Sequence, residues 1–244
     1  MECRKLSKME GGNIVQDKKM LFSDLCKDVR KCTACKNVMF SPNFEESNCF
    51  VHVENNGKEE CVNLWNCWQG SLDAKIMVIG QDYGVANGEF ETDRSLAKLF
   101  KKSFGIDTNK RDERLFFTNI ANCYRKSKST GSFNKGCLAI CSSKFIGRLI
   151  KIIFPKIIIV LGQETFNSLA FCENAKLVCK NPAKENEKNS FVDIISHEYE
   201  LVFDDGQAIS VFPVFHPGAL GKRNRNIDLQ LEDWKKINKF YEEN

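Results

Sequence analysis

Apolar positions along this 244-residue chain alternate between short continuous runs and longer stretches of helical spacing. Residues 75–79, 115–120 and 157–161 are runs rich in β-branched and aromatic side chains, the pattern of strands buried on both faces. Between them, residues 94–104 place Leu96, Leu99, Phe100 and Phe104 on one helical face, and residues 137–153 turn Leu138, Phe145, Leu149 and Ile152 inward. Residues 163–171 read as a helix after the third strand, and residues 227–241 as a final amphipathic helix. Residues 199–203 and 209–215 flank Asp204-Asp205-Gly206 as a hairpin-like pair. Ahead of these elements, residues 1–19 read as a loose polar segment and 20–30 as a short amphipathic helix. Residues 36–73 and 172–196 hold no sustained period and read as irregular insertions, and no internal repeat is visible.

Strands alternating with helices predict an α/β fold, in which a mostly parallel central sheet is flanked by helices on both faces and an N-terminal Cys-rich segment precedes it. Residues 20–244 then form a single domain carrying both insertions. Ligands of such sheets bind beyond the carboxyl ends of the strands. Gln81-Asp82, Asn119, Gly162 and His216 each stand at or just past a strand end, so they are expected along one edge.

A hydrophobic fraction of 42% supports a substantial core, and the net charge of +4 neither demands nor opposes a polyanionic partner. Basic residues cluster at Arg125-Lys126-Ser127-Lys128 and Lys222-Arg223-Asn224-Arg225. The N-terminus lacks the apolar core of a signal peptide, and the longest apolar stretch, 149–161, is broken by Lys151, Pro155 and Lys156. The expectation is therefore a cytoplasmic protein with no membrane partner, a monomer, whose 12 cysteines lie in a reducing compartment. There an organised set such as Cys32-Thr33-Ala34-Cys35 reads as metal or cluster ligation, whereas Cys172 and Cys179 read as small hydrophobes. Cys49, Cys61 and Cys67 fall in the first insertion and could form a separate site.

Four segments, in order, resemble the uracil-DNA glycosylase superfamily: Gly80-Gln81-Asp82-Tyr83-Gly84, the run from Thr118 to Arg125, the strand from Pro155 to Gly162, and His216-Pro217-Gly218-Ala219-Leu220. Trp234 falls where the last helix of that family usually carries a tryptophan. The chain is most similar to the iron–sulfur branch, which opens on a Cys-x-x-Cys and places two more cysteines around the middle segment. The resemblance implies a [4Fe–4S] cluster on Cys32, Cys35, Cys123 and Cys141, with Cys137 competing for the fourth place and a structural zinc on the same thiolates as the alternative.

The resemblance implies DNA containing uracil as the partner and hydrolysis of the N-glycosidic bond of a flipped-out uracil as the reaction. That reaction builds positive charge on the sugar and negative charge on the departing base. Asp82 suits the carboxylate that stabilises the first and orients a water, and His216 the donor to the uracil carbonyl. Asn119 can read the pyrimidine edge, since one carboxamide both donates and accepts. Phe90 is the candidate stacking ring and Gln81 a candidate backbone donor. Leu220 could wedge into the gap left by the flipped base, with Lys222, Arg223 and Arg225 on the phosphates. Two departures from the family pattern stand out. Gly218 replaces a usual Ser, and Tyr83 replaces a usual Pro in a position expected to affect thymine exclusion. They motivate the alternative of a nucleic-acid-binding member with weak or no turnover.

Overall fold

In a computed structural model, the described residues are 11–35, 43–45, 50–55, 58–61, 69–83, 91–123, 135–182 and 190–244, with side chains described from residue 18 onward except within 43–61. The central sheet is built from β4 (Ile76–Gly80), β5 (Leu115–Asn119), β6 (Ile157–Leu161), β7 (Ala175–Cys179), β8 (Tyr199–Phe203) and β9 (Ala208–Val214), in the order β5-β4-β6-β9-β8-β7. β5, β4, β6 and β9 run parallel, and β8 and β7 are antiparallel additions at one side. A small separate antiparallel sheet joins β1 (Asn43–Glu45), β2 (Phe50–Asn55) and β3 (Lys58–Cys61).

Alternation along the parallel strands divides the core in two. Met77, Ile79, Phe116, Ile158, Val160 and Val211 face one layer, which holds α1 (Gly11–Arg30), α3 (Lys135–Cys141), α4 (Gly147–Ile153) and α5 (Gln163–Ser168). Ile76, Val78, Leu115, Phe117, Ile157 and Ile159 face the other, against α2 (Glu91–Ser103) and α8 (Ile227–Glu243). β4 and β6 are buried at every position, which explains their continuous apolar runs. Among the described residues no helix is long and apolar enough to cross a membrane.

Several elements differ from the periodicity reading. α1 begins at Gly11, inside the segment expected to be loose. The helix expected over 137–153 is interrupted by a π-helical turn, Ser142–Ile146, between α3 and α4. The first insertion contains β1–β3. The second contains β7 and α6 (Phe191–Ile194), which opens on a capping box between Ser190 and Asp193. β7 was hidden in the sequence because it is an edge strand of intermediate burial, without an alternating stripe.

In the second core layer, Trp234 is fully buried and meets Phe100 edge-on at 4.9 Å. Its indole nitrogen has no hydrogen-bond partner among the described residues. Trp234→Ala is expected to lower the unfolding free energy by about 3–5 kcal/mol, measured by denaturant titration. Trp234→Phe, which keeps a ring against Phe100 and removes the unpaired N–H, should cost well under that. Equal losses would show that the ring contact is not what Trp234 contributes.

Candidate active site at the carboxyl edge of the sheet

The parallel register brings the strand ends level. Gly80 pairs with Asn119 across β4 and β5, and Leu161 with Val214 across β6 and β9. The β4–β5 ladder continues past the strands: Ile120 N–H donates to the Gly80 carbonyl and Ala121 N–H to the Gln81 carbonyl, each at 2.9 Å. The turn bearing Gln81 and Asp82 is thereby bolted to the segment after Asn119. Both side chains are partly exposed, as is that of Asn119. The Asn119 carboxamide oxygen lies against the bare Cα of Gly80, in space that any Cβ there would take. Glycine at 80 is thus what lets the Asn119 side chain settle beside the Asp82 turn.

His216 is held from the other side of the edge. Gly162, at φ +92°, donates its N–H to the Val214 carbonyl at 2.8 Å. A Cβ at 162 would meet the His216 Cβ at 3.6 Å, an ordinary contact, so the positive φ rather than space calls for glycine there. Gly221 packs directly on the His216 carbonyl, too close for any side chain. The Gly218 N–H donates to His216 Nδ1 at 3.1 Å. With Nδ1 accepting, a neutral imidazole carries its hydrogen on Nε2. Burial holds the ring's pKa below its ordinary 6.5, so the neutral form prevails at neutral pH. β4 and β9 are two strands apart in the sheet, with β6 between them. That sets the ends of the strands that lead into Asp82 and His216 about 10 Å apart.

The basic residues after His216 separate into two kinds. On α7 (Ala219–Asn224), Leu220 is 72% exposed and Arg223 is exposed beside it. Lys222 instead reaches α2, pairing with Glu91 and donating to Ser95 Oγ at 3.4 Å. Arg225 forks onto Asp233 at 2.5 and 2.8 Å. Both therefore act as ties within the fold. Phe90 lies outside the described residues, as does the rest of segment 84–90.

Tyr83 is not at the edge. It is 2% exposed and packs into the core layer that holds α1 and α3. Burial pushes its phenol well above the ordinary value, and the nearby Cys26, Cys123 and Cys141 thiols add to the shift. Its hydroxyl lies near that of Thr118, yet among the described residues neither makes a well-formed hydrogen bond.

Beside Tyr83, cysteines from three segments meet: Cys32 and Cys35 after α1, Cys123 after β5, and Cys137 and Cys141 one helical turn apart on α3. The Cys35 thiol is pushed up to about 12, first by burial, then by its hydrogen bond with Cys137 and the nearness of Cys141 and Cys123. Burial also raises Cys141, against the Asn122 backbone N–H and carboxamide that donate to its sulfur. Among the described residues, no three His, Cys, Asp or Glu side chains stand in a metal-coordinating arrangement. A groove lined by Asp28, Lys31, Cys32, Lys144 and Arg148 opens on this side of the molecule. Cys172 is buried, with its thiol raised to about 12 by that burial alone, as fits a small core residue.

Residues 67–240 match the sequence profile of the uracil DNA glycosylase superfamily. This chain belongs to that superfamily. A curated relative, the type-4 uracil-DNA glycosylase of Sulfurisphaera tokodaii, is 26% identical over 203 residues, covering 74% of this chain and 81% of the relative. Asp82, Asn119 and His216 all fall inside the superfamily span, whereas α1, Cys32 and Cys35 precede it. The sequence reading missed Gly221 and Gly80 as spacing residues of this superfamily member. Gly221 carries a visible signal, a third small residue within six positions of His216. The Gly80–Asn119 contact carries none, because the partner is on another strand.

Gly80→Ala is expected to displace the Asn119 carboxamide and lower the rate of base release by about 100-fold, the scale of a misplacement of about 1 Å. The thermal midpoint should fall only slightly. A variant as active as wild type would show that Asn119 does not work from the position seen here.

Proposed function

We propose that this protein is a monofunctional uracil-DNA glycosylase working from the edge formed by Asp82, Asn119 and His216. The observation that carries the reading is the setting of His216: half-buried just past β9, with Nδ1 accepting from the Gly218 N–H, which leaves the hydrogen of a neutral ring on Nε2, and with desolvation holding its pKa below the ordinary value. A neutral N–H donor stabilises the charge developing on the departing uracil oxygen without neutralising Asp82 across the cleft. The Asp82 carboxylate holds the attacking water and offsets positive charge on the sugar. Asn119 reads the pyrimidine edge, Gln81 contributes a backbone donor, and Phe90 stacks on the base. The exposed Leu220 fills the vacated stack, with Arg223 on the adjacent phosphate. Lys222 and Arg225, being tied to Glu91 and Asp233, support this segment from behind.

Release of uracil from single-stranded and mismatched oligonucleotides tests the reading. Asp82→Asn and His216→Leu should each lower single-turnover release by about 100-fold or more while leaving DNA binding within a few-fold. Wild type as inert as both variants on every uracil substrate would overturn it. The pH profile supplies a second check. The active imidazole is neutral and its pKa is lowered by burial, so activity should hold through pH 6.5 and fall only on the acid side of it. The sign for stability is the same: the unfolded chain takes up the His216 proton first, so stability declines as pH drops below about 6.5. A fall in activity that begins above pH 6.5 would rule out the neutral donor.

The cysteine set fits a thiolate-held centre by its chemistry: five thiols from three segments converge, and no carboxylate or imidazole is among the groups raising the Cys35 thiol. Cys32, Cys35 and Cys123, with Cys141 or Cys137, would hold a [4Fe–4S] cluster, whose contribution is to cross-link the end of α1, the segment after β5 and α3. Protein purified without oxygen should be brown, with about four irons per chain and equal acid-labile sulfide. Cys35→Ser should lose both colour and thermal stability. Colourless protein with one zinc per chain would assign the thiolates to zinc instead.

A further inference from the structure

We propose that Thr92, in the first turn of α2, is a positioning residue for His216, and that it occupies the space a side chain at position 218 would otherwise take. The inference rests on the reading of His216 as a donor to the base. Gly218 has an ordinary extended backbone, φ −75° and ψ 178°, so its conformation does not call for glycine. Space does. A Cβ at 218 would lie 2.9 Å from Thr92 Oγ1, 3.0 Å from His216 Nδ1 and 3.1 Å from His216 Cε1. The Thr92 hydroxyl and the Nδ1–Cε1 edge of the imidazole thus both border the place a side chain at 218 would take, and residues 92 and 218 compete for it.

Threonine suits this task because its hydroxyl is carried directly on Cβ, one rotatable bond from the backbone, so few positions are open to it. The first turn of α2 is itself anchored to the segment that carries His216. Glu91 pairs with Lys222, and Lys222 donates to Ser95. Thr92 therefore stands on a turn held on either side, its hydroxyl bordering the same place beside Gly218 that the Nδ1–Cε1 edge of the ring borders. A ring confined on its Nδ1 side keeps the hydrogen bond from Gly218 and keeps Nε2–H outward. Residue 92 is 124 positions from its target and has no motif of its own, so the pair is visible only in three dimensions.

A mutant cycle tests the proposal through two readouts. In single-turnover uracil release, Gly218→Ala should lower the maximal rate by about 100-fold and Thr92→Ala by about 10-fold, with half-saturating DNA concentrations little changed. Thr92→Ser should recover most of the Thr92→Ala loss. The double variant Thr92→Ala/Gly218→Ala should be faster than Gly218→Ala alone, because the new methyl moves into the vacated space instead of onto the imidazole. The second readout needs no catalysis. Nitrogen-15 spectra of the three histidines should show His216 as one neutral Nε2–H tautomer in wild type and Thr92→Ser, and as a tautomer mixture in Thr92→Ala and Gly218→Ala. Independent losses that simply multiply, together with an unchanged His216 tautomer in Thr92→Ala, would overturn the proposal. An inert wild type with the expected tautomer pattern would sink the glycosylase reading while upholding the positioning role.

Discussion

The in-register parallel pairing of β5, β4, β6 and β9 is the constraint on which the site depends. Each strand is short, and the residues with reactive side chains lie at its end or within two positions beyond it. A slip of one residue in any pair would move Asn119 or the Asp82 turn by about 3.3 Å and reverse the faces its side chains occupy. The two core layers oppose such slips, because alternate residues of β4 and β6 are committed to helices on opposite sides. Burial of these strands thus does two things together. It supplies the hydrophobic stabilisation of the domain, and it sets the spacing of a carboxylate, an amide and an imidazole along one edge.

Around that edge the chain is shaped by the absence of side chains. Gly80 admits the Asn119 carboxamide, Gly162 takes a positive φ just past β6, Gly221 lies under the His216 carbonyl, and Gly218 yields to Thr92. Only Gly162 of these has a backbone conformation that itself favours glycine. The others serve close approach, and close approach is what holds a neutral imidazole in one tautomer away from water. The same desolvation that depresses the histidine pKa strengthens any hydrogen bond it donates.

A second polar region lies beneath the edge. Tyr83 follows Asp82 directly, yet it turns inward and brings its phenol to the thiols of Cys26, Cys123 and Cys141. The Asp82 turn and the cysteine set therefore share one side chain of contact, and β5 leads to both Asn119 and Cys123 within five residues. Any group that ties these cysteines together also stiffens the base of the edge that carries Asp82 and Asn119.

The layered fold, the three central strands and the meeting of Asp82, Asn119 and His216 at one edge were legible from residue order, because buried parallel strands write continuous apolar runs and their ends lie level. The Cys-x-x-Cys and the cysteines flanking the middle segment were legible in the same way, as spacing. What could not be read there depends on contacts between distant segments. The edge strand β7 leaves no stripe, since none of its positions is fully buried. Lys222 and Arg225 look alike in the sequence to the exposed Arg223, and only the placement of Glu91 and Asp233 commits them to internal pairs. Tyr83 turns inward because the space between α1 and α3 accepts a ring. Gly218 is glycine because Thr92, brought in by another helix, already fills its side-chain position. Local pattern encodes burial and strand ends, whereas which charges are spent and which spaces are taken depends on the packing of elements far apart in the chain.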